Sequence, residues 1–140
     1  KRKFVKNADL NEIKMELQAQ ISLAKSMGLK PSHIDSHEGA LFFDPNIFKI
    51  YIDLAIENDL LAFVPIEASM HFNGELEKPS NAVIIDQFHM LHGGTKVEDI
   101  KNFYFNVVRN LKPGLSQIII HLGKDEPELK KITVVHPNFD

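Results

Sequence analysis

The sequence predicts an α/β fold of parallel strands alternating with helices, part of a (β/α) barrel. Three observations carry that reading. Short apolar runs of strand length, at 60–66 and 116–121, alternate with segments whose apolar residues recur every three or four positions. Ile118-Ile119-Ile120 is β-branched and continuous, as in a parallel sheet buried on both faces. The alternation implies βαβ units with right-handed crossovers. Three or four units can be traced, about half of what an eight-unit barrel uses.

Taken in order, Leu10, Ile13, Leu17, Ile21 and Ala24 predict a helix over 9–27, capped by Asn7 or Asp9 and closed by Gly28. Pro31 breaks the chain before a short strand at 32–35. Asp44 caps a second helix over 45–58, with Pro45 at its first position and Phe48, Ile52, Ala55 and Ile56 as its apolar face. Residues 60–66 suit a buried strand. Residues 67–81, with Gly74, Pro79 and Ser80, read as a long loop. A further strand is expected over 82–88. Gly93-Gly94 leads to a helix over 97–111, with Thr95 and Glu98 as a capping box and Ile100, Phe103, Val107, Val108 and Leu111 as its buried stripe. Pro113-Gly114 is a turn, 116–121 a strand and 126–131 a short helix. Val134-Val135 in the tail has nothing after it to pair with.

Composition bounds the partners. Hydrophobic residues make up 44% and charged residues 25% of the 140, the balance of an ordinary globular chain read as a single domain over 1–140. A net charge of -3 argues against nucleic acid as a partner, where a basic face is expected. No Cys is present, which excludes disulfides and thiolate metal sites and fits any compartment. No apolar run approaches the ~20 residues of a membrane span. The chain starts on Lys1-Arg2-Lys3 without an initiator Met, and its amino end reads as a cut inside a longer protein.

The chemistry concentrates in Pro31-Ser32-His33-Ile34-Asp35-Ser36-His37-Glu38-Gly39. On a strand, side chains alternate between faces, so His33, Asp35 and His37 would point one way at the strand's carboxyl end. Such ends hold the chemistry of α/β folds. Imidazole and carboxylate are donors a divalent metal accepts, and three such groups would supply part of its shell. The plain alternative is that His33 is a core histidine bonded to backbone and Asp35 caps a loop. His121, directly after Ile118–Ile120, also falls at a strand's carboxyl end, placed to act as a general acid or base or simply to open a surface loop. The other histidines carry less. His89 and His92 have the i, i+3 spacing of a helical pair; His71 lies in the long loop; His136-Pro137, in the tail, competes with His121. Glu38 could orient a ligand or simply face solvent, and Asp125, Glu126 and Glu128 suit a helix start. No nucleophile-elbow or phosphate-loop motif is present.

At these residues the chain resembles the YdjC/ChbG-type carbohydrate deacetylases, relatives of the polysaccharide deacetylases. Their pattern runs Thr or Ser, His, an aliphatic residue, Asp, Ser, His, after a helix and a Gly-x-x-Pro turn. Here it is Gly28-Leu29-Lys30-Pro31-Ser32-His33-Ile34-Asp35-Ser36-His37. A later strand of the family ends in His, as Ile120-His121-Leu122-Gly123 does here, and Asp125-Glu126-Pro127-Glu128-Leu129 is similar to a run in one branch. The resemblance spans about residues 10–135. It implies that His37 is a divalent-metal ligand, that Asp35 is a ligand or a group orienting one, and that His121 protonates the departing amine. Ala40 stands where many members have a further histidine. The family's Asp-Asp pair on its first strand, a second metal-binding histidine and its final segment have no counterpart here, and Asp9, before a helix, is no substitute.

The resemblance therefore implies a metal-dependent hydrolase, with Zn or Mg, acting on N-acetyl groups of an amino sugar or oligosaccharide. This chain would be its carboxyl-terminal portion, inactive alone, its open sheet edges covered by a second copy or by the remainder of the parent chain. Two alternatives stand beside it. One is a two-metal phosphoesterase or amidohydrolase. The other is a carbohydrate-binding module of the same fold, stacking sugars on Phe42, Phe43, Phe72 or Phe88.

Overall fold

The fold is α/β, with parallel strands interleaved with helices. The computed structural model describes residues 7–72, 81–91, 95–121, 123 and 126–132. The chain divides into two compact units, Lys1–Ile84 and Ile85–Asp140.

The first unit opens with helix α1, Leu10–Ser26. The Asp9 carboxylate caps it, accepting the N–H groups of Asn11 at 2.7 Å and Glu12 at 3.2 Å, and satisfies donors the first turn leaves free. Gly28, at φ +85°, closes the helix in the left-handed conformation that its missing Cβ permits. Of the expected stripe only Ile13 is buried; Leu17, Ile21 and Ala24 are half-buried and Leu10 is exposed. Strand β1, His33–Ile34, runs parallel to β2, Leu61–Pro65, pairing His33 with Leu61 and Ile34 with Ala62. Between them lie a 3-10 segment, His37–Phe42, and helix α2, Pro45–Glu57. Asp44 caps α2 as expected, accepting from Asn46 at 2.8 Å and Ile47 at 3.2 Å.

α2 is the centre of the core. It buries Ile47, Phe48, Tyr51, Ile52, Leu54 and Ala55. Phe48, Tyr51, Ile52 and Ala55 pack with Ala62 and Val64 of β2. Alternation along β2 sends those two inward, the period of a strand with one face on a helix. Phe72 stacks on Phe48 at 4.6 Å between ring centroids, and Phe42 meets Phe48 and Tyr51 edge-on. Ile56, expected on the apolar face, is 44% exposed. A polar seam ties α1 to the end of α2: Lys14 pairs with Glu57 at 2.7 Å, and Asn58 bonds the Gln18 side chain.

Two expectations for 67–88 are corrected. β2 passes directly into a short helix, α3, Ile66–His71, where a loop was expected; residues 73–80 lie outside the described residues. The single strand over 82–88 is two, β3, Ala82–Ile85, and β4, Gln87–Met90, parted at Asp86. β3 completes a three-stranded sheet in the order β1-β2-β3.

In the second unit β4 pairs in parallel with β5, Ser116–Ile119, with Gln87 opposite Ser116 and Met90 opposite Ile119. Helix α4, Val97–Arg109, connects them, and α5, Pro127–Ile132, follows. Asp86 explains the break. Its N–H donates to the Leu115 carbonyl at 2.9 Å and its carboxylate accepts the Leu115 N–H at 2.8 Å. Gly114 sits against it at φ +124°, where a Cβ would lie 2.5 Å from the Asp86 Oδ2. The cap of α4 is Lys96, with no side-chain hydrogen bond, so Thr95 is not the capping residue. The α4 stripe is also less buried than its spacing predicts: Val107 is buried, whereas Val108 is 59% and Leu111 44% exposed. β5 is half-buried along its length and Ile120 is exposed, short of the two-sided burial expected. Among the described residues no helix is long and apolar enough to cross a membrane.

Candidate active site

The site is built where β1 ends. The strand stops at Ile34, so the alternation expected to align His33, Asp35 and His37 does not reach His37, which begins the 3-10 segment. The cause is Ser36. It is buried, its carbonyl accepts the Gly39 N–H at 2.8 Å, and its hydroxyl accepts the Leu41 N–H at 3.0 Å. These bonds wind the chain into a tight turn. Glu38 at φ 54° and Gly39 at φ 63° take the left-handed conformation inside it. Gly39 is there at little cost, whereas Glu38 holds a geometry L side chains disfavour.

Asp35 and His37 are both exposed. The Asp35 Oδ1 accepts the Ser36 N–H at 2.7 Å. His33 is exposed at the start of β1, and its ring lies flat on Phe63 of β2, 4.1 Å between centroids and 9° between planes. Its Nδ1 is 2.9 Å from the Ser32 hydroxyl. His33 is thus held by stacking and a neighbouring hydroxyl, neither a buried core histidine nor one bonded to backbone. Beneath the rim, Asp35 lines a cavity of ≈ 70 Å³ with Gln20, Ile34, Leu41 and Tyr51. A wider groove of ≈ 690 Å³ follows α1, lined by Asp9, Ile13, Glu16 and Leu41, and includes none of the site histidines.

Tyr51 is the residue that sequence reasoning missed. It reaches from α2 under the site, its hydroxyl 2.8 Å from the Ile34 carbonyl and 3.0 Å from that of Phe63. Burial first, and then the Asp35 carboxylate, push its pKa well above the ordinary tyrosine value. In sequence it is one apolar-face position of an amphipathic helix, and no local signal marks it.

The donors at this rim suit a divalent ion by kind. By number they fall short: among the described residues no three His, Asp or Glu side chains are grouped to hold a metal. His33, Asp35 and His37 therefore do not by themselves assemble a shell.

His121 lies in the second unit, exposed, two residues past the carboxyl end of β5. His89 is on β4 opposite Ile118, so it is not part of a helical pair; its Nε2 is buried without a hydrogen-bond partner among the described residues. His92, Asp125 and the His136-Pro137 pair lie outside the described residues. His71 ends α3, edge-on to Phe72. Glu126 and Glu128 are exposed at the start of α5, Glu128 in its first turn. Of the aromatic candidates for sugar stacking, Phe42 and Phe72 belong to the core, while Phe43 and Phe88 are exposed.

Comparison with known proteins places this geometry in context. The family model described as YdjC-like protein matches residues 1–138. A curated carbohydrate deacetylase from Thermoanaerobacter pseudethanolicus is 24% identical over 131 residues, covering 93% of this chain and 49% of the relative. The chain thus spans about half the length of the curated relative it matches.

Proposed function

This chain belongs to the YdjC-like family, and from that premise we propose that it carries part of the active site of a carbohydrate deacetylase. The substrate would be an N-acetylated amino sugar or oligosaccharide. The observation that carries the reading is the juxtaposition of a family-wide match with an acid and an imidazole, Asp35 and His37, at the carboxyl end of a parallel strand. The relative's name supports deacetylation at the level of the family. We propose further that the parallel strands are part of a (β/α) barrel, and that a second copy or further chain covers β1, one of the two edge strands of its sheet.

The reaction is amide hydrolysis. Water oxygen bonds to the acetyl carbon, the C–N bond breaks, acetate leaves, and the nitrogen departs as an amine after gaining a proton. In this reading His121 delivers that proton, the general-acid role that an imidazole most often takes in catalysis. His37 binds at the reacting centre and Asp35 ligates or orients beside it. A divalent ion, zinc or magnesium, is part of the proposal; it would polarise the carbonyl and acidify water. Its remaining ligands and the carboxylate base are assigned to residues other than those described.

The test is acetate release from N-acetylated chito-oligosaccharides. The full-length product should release acetate, and His37→Ala should reduce turnover by at least about a hundredfold. The 140-residue chain alone should release none. Chelation should abolish the activity and one added metal equivalent restore it; two metals per site would favour the phosphoesterase alternative. Unchanged acetate release by His37→Ala would refute the assignment.

A further inference from the structure

We propose that Tyr51 is a positioning residue of this site: its hydroxyl, held between the carbonyls of Ile34 and Phe63, fixes the backbone from which Asp35 and His37 project. The geometric part stands on the contacts alone; its catalytic consequence rests on the deacetylase reading.

Tyr51 is 1% exposed, and its ring is locked edge-on against Phe42 at 5.8 Å. A phenol has one proton to donate, so the hydroxyl serves Ile34 at 2.8 Å and Phe63 at 3.0 Å in a shared or alternating bond. The β1–β2 ladder ends at the Ile34–Ala62 pair. Tyr51 adds a side-chain link at this last rung, from the Ile34 carbonyl to that of Phe63 on β2. On the other side of Asp35, buried Ser36 pins the turn through Gly39 and Leu41. Asp35 therefore stands between two fixed points, and His37 begins just past the second. Asp35 and Tyr51 also line the same small cavity. Loss of the hydroxyl would leave the ring and its packing in place but remove the side-chain tie on the peptide that joins Ile34 to Asp35.

The experiment compares Tyr51→Phe with Ile47→Val in the full-length protein. Ile47 is a core residue of the same helix whose side chain offers no hydrogen bond. With N-acetylated chito-oligosaccharide, Tyr51→Phe should lower kcat per folded molecule by about ten- to a hundredfold, the scale of a small misplacement of reacting groups, with KM little changed. Ile47→Val should lower Tm and leave kcat unaltered. Independently of activity, the amide resonances of Asp35, Ser36 and His37 and the His37 ring resonances should shift in Tyr51→Phe and stay in place in Ile47→Val. Unmoved resonances at 35–37 overturn the proposal whatever the rate, and so does an unchanged kcat in an active enzyme. If the unmodified protein releases no acetate, the deacetylase reading fails by itself, and the resonances still decide whether Tyr51 positions the turn.

Discussion

Tyr51 also governs how the fold should respond to alkali. Its neutral form suits a buried site beside a carboxylate, so its folded pKa lies above the unfolded value near 10. The stability this contributes is fully present below about pH 10 and is lost as pH rises through the folded value, because only the unfolded chain sheds the proton early. The urea midpoint of the 140-residue chain should therefore fall more steeply above about pH 10 than that of Tyr51→Phe. Every other ionisable group is common to both proteins, so the difference between the two curves isolates this one. Parallel curves would show that Tyr51 ionises as freely folded as unfolded. The contrast with Asp35 and His37 shows what a sequence can carry at this scale. Those two were legible because a dense run of imidazole and acid beside a glycine is a local signal. Tyr51 was not, because its role comes from carbonyls 17 and 12 positions away that meet it only in three dimensions.

At the scale of elements, the boundaries set by local chemistry were legible and those set by tertiary contacts were not. Asp44-Pro45 carries its own start signal, and α2 begins there, with the Asp44 carboxylate on two backbone N–H groups. Asp44→Ala should thus cost about 1 kcal/mol, read as a lower urea midpoint with unchanged slope. A loss near zero would mean that burial of Phe48 and Tyr51 alone sets where α2 starts. Thr95 with Glu98 offers an equally plausible box, yet the cap position falls on Lys96, with no side-chain hydrogen bond, although the helix starts at Val97 as expected. The split between β3 and β4 was hidden for the same reason. Val83-Ile84-Ile85-Asp86-Gln87-Phe88 looks continuous, and only the bonds from Asp86 to Leu115, 29 positions on, divide it. The strand expected to carry His33, Asp35 and His37 on one face shortened because a buried serine found backbone partners within its own turn.

For the molecule as a whole, composition foretold a core but not where it would lie. Apolar residues are spread along the chain, yet among the described residues four of the six largest fully buried side chains, Tyr51, Phe48, Ile47 and Leu54, fall on one helix of the first unit. In the second unit α4 buries only Val107, and Val97, Phe105 and Val108 remain exposed. Amide protection follows the opening free energy of each element, which rises with the apolar area it keeps from water. Hydrogen exchange of the 140-residue chain should therefore be slowest in α2 and β2. It should be markedly faster in α4, although the two helices have the same length, 13 residues each, and each makes its own backbone bonds. Helix propensity cannot produce that order, since helices this short are marginal without packing. Protection of α4 equal to that of α2 would mean that its apolar stripe is covered in solution, and would point to self-association of the chain. A solution mass above 15.9 kDa in the same sample would then identify the cover as a second copy.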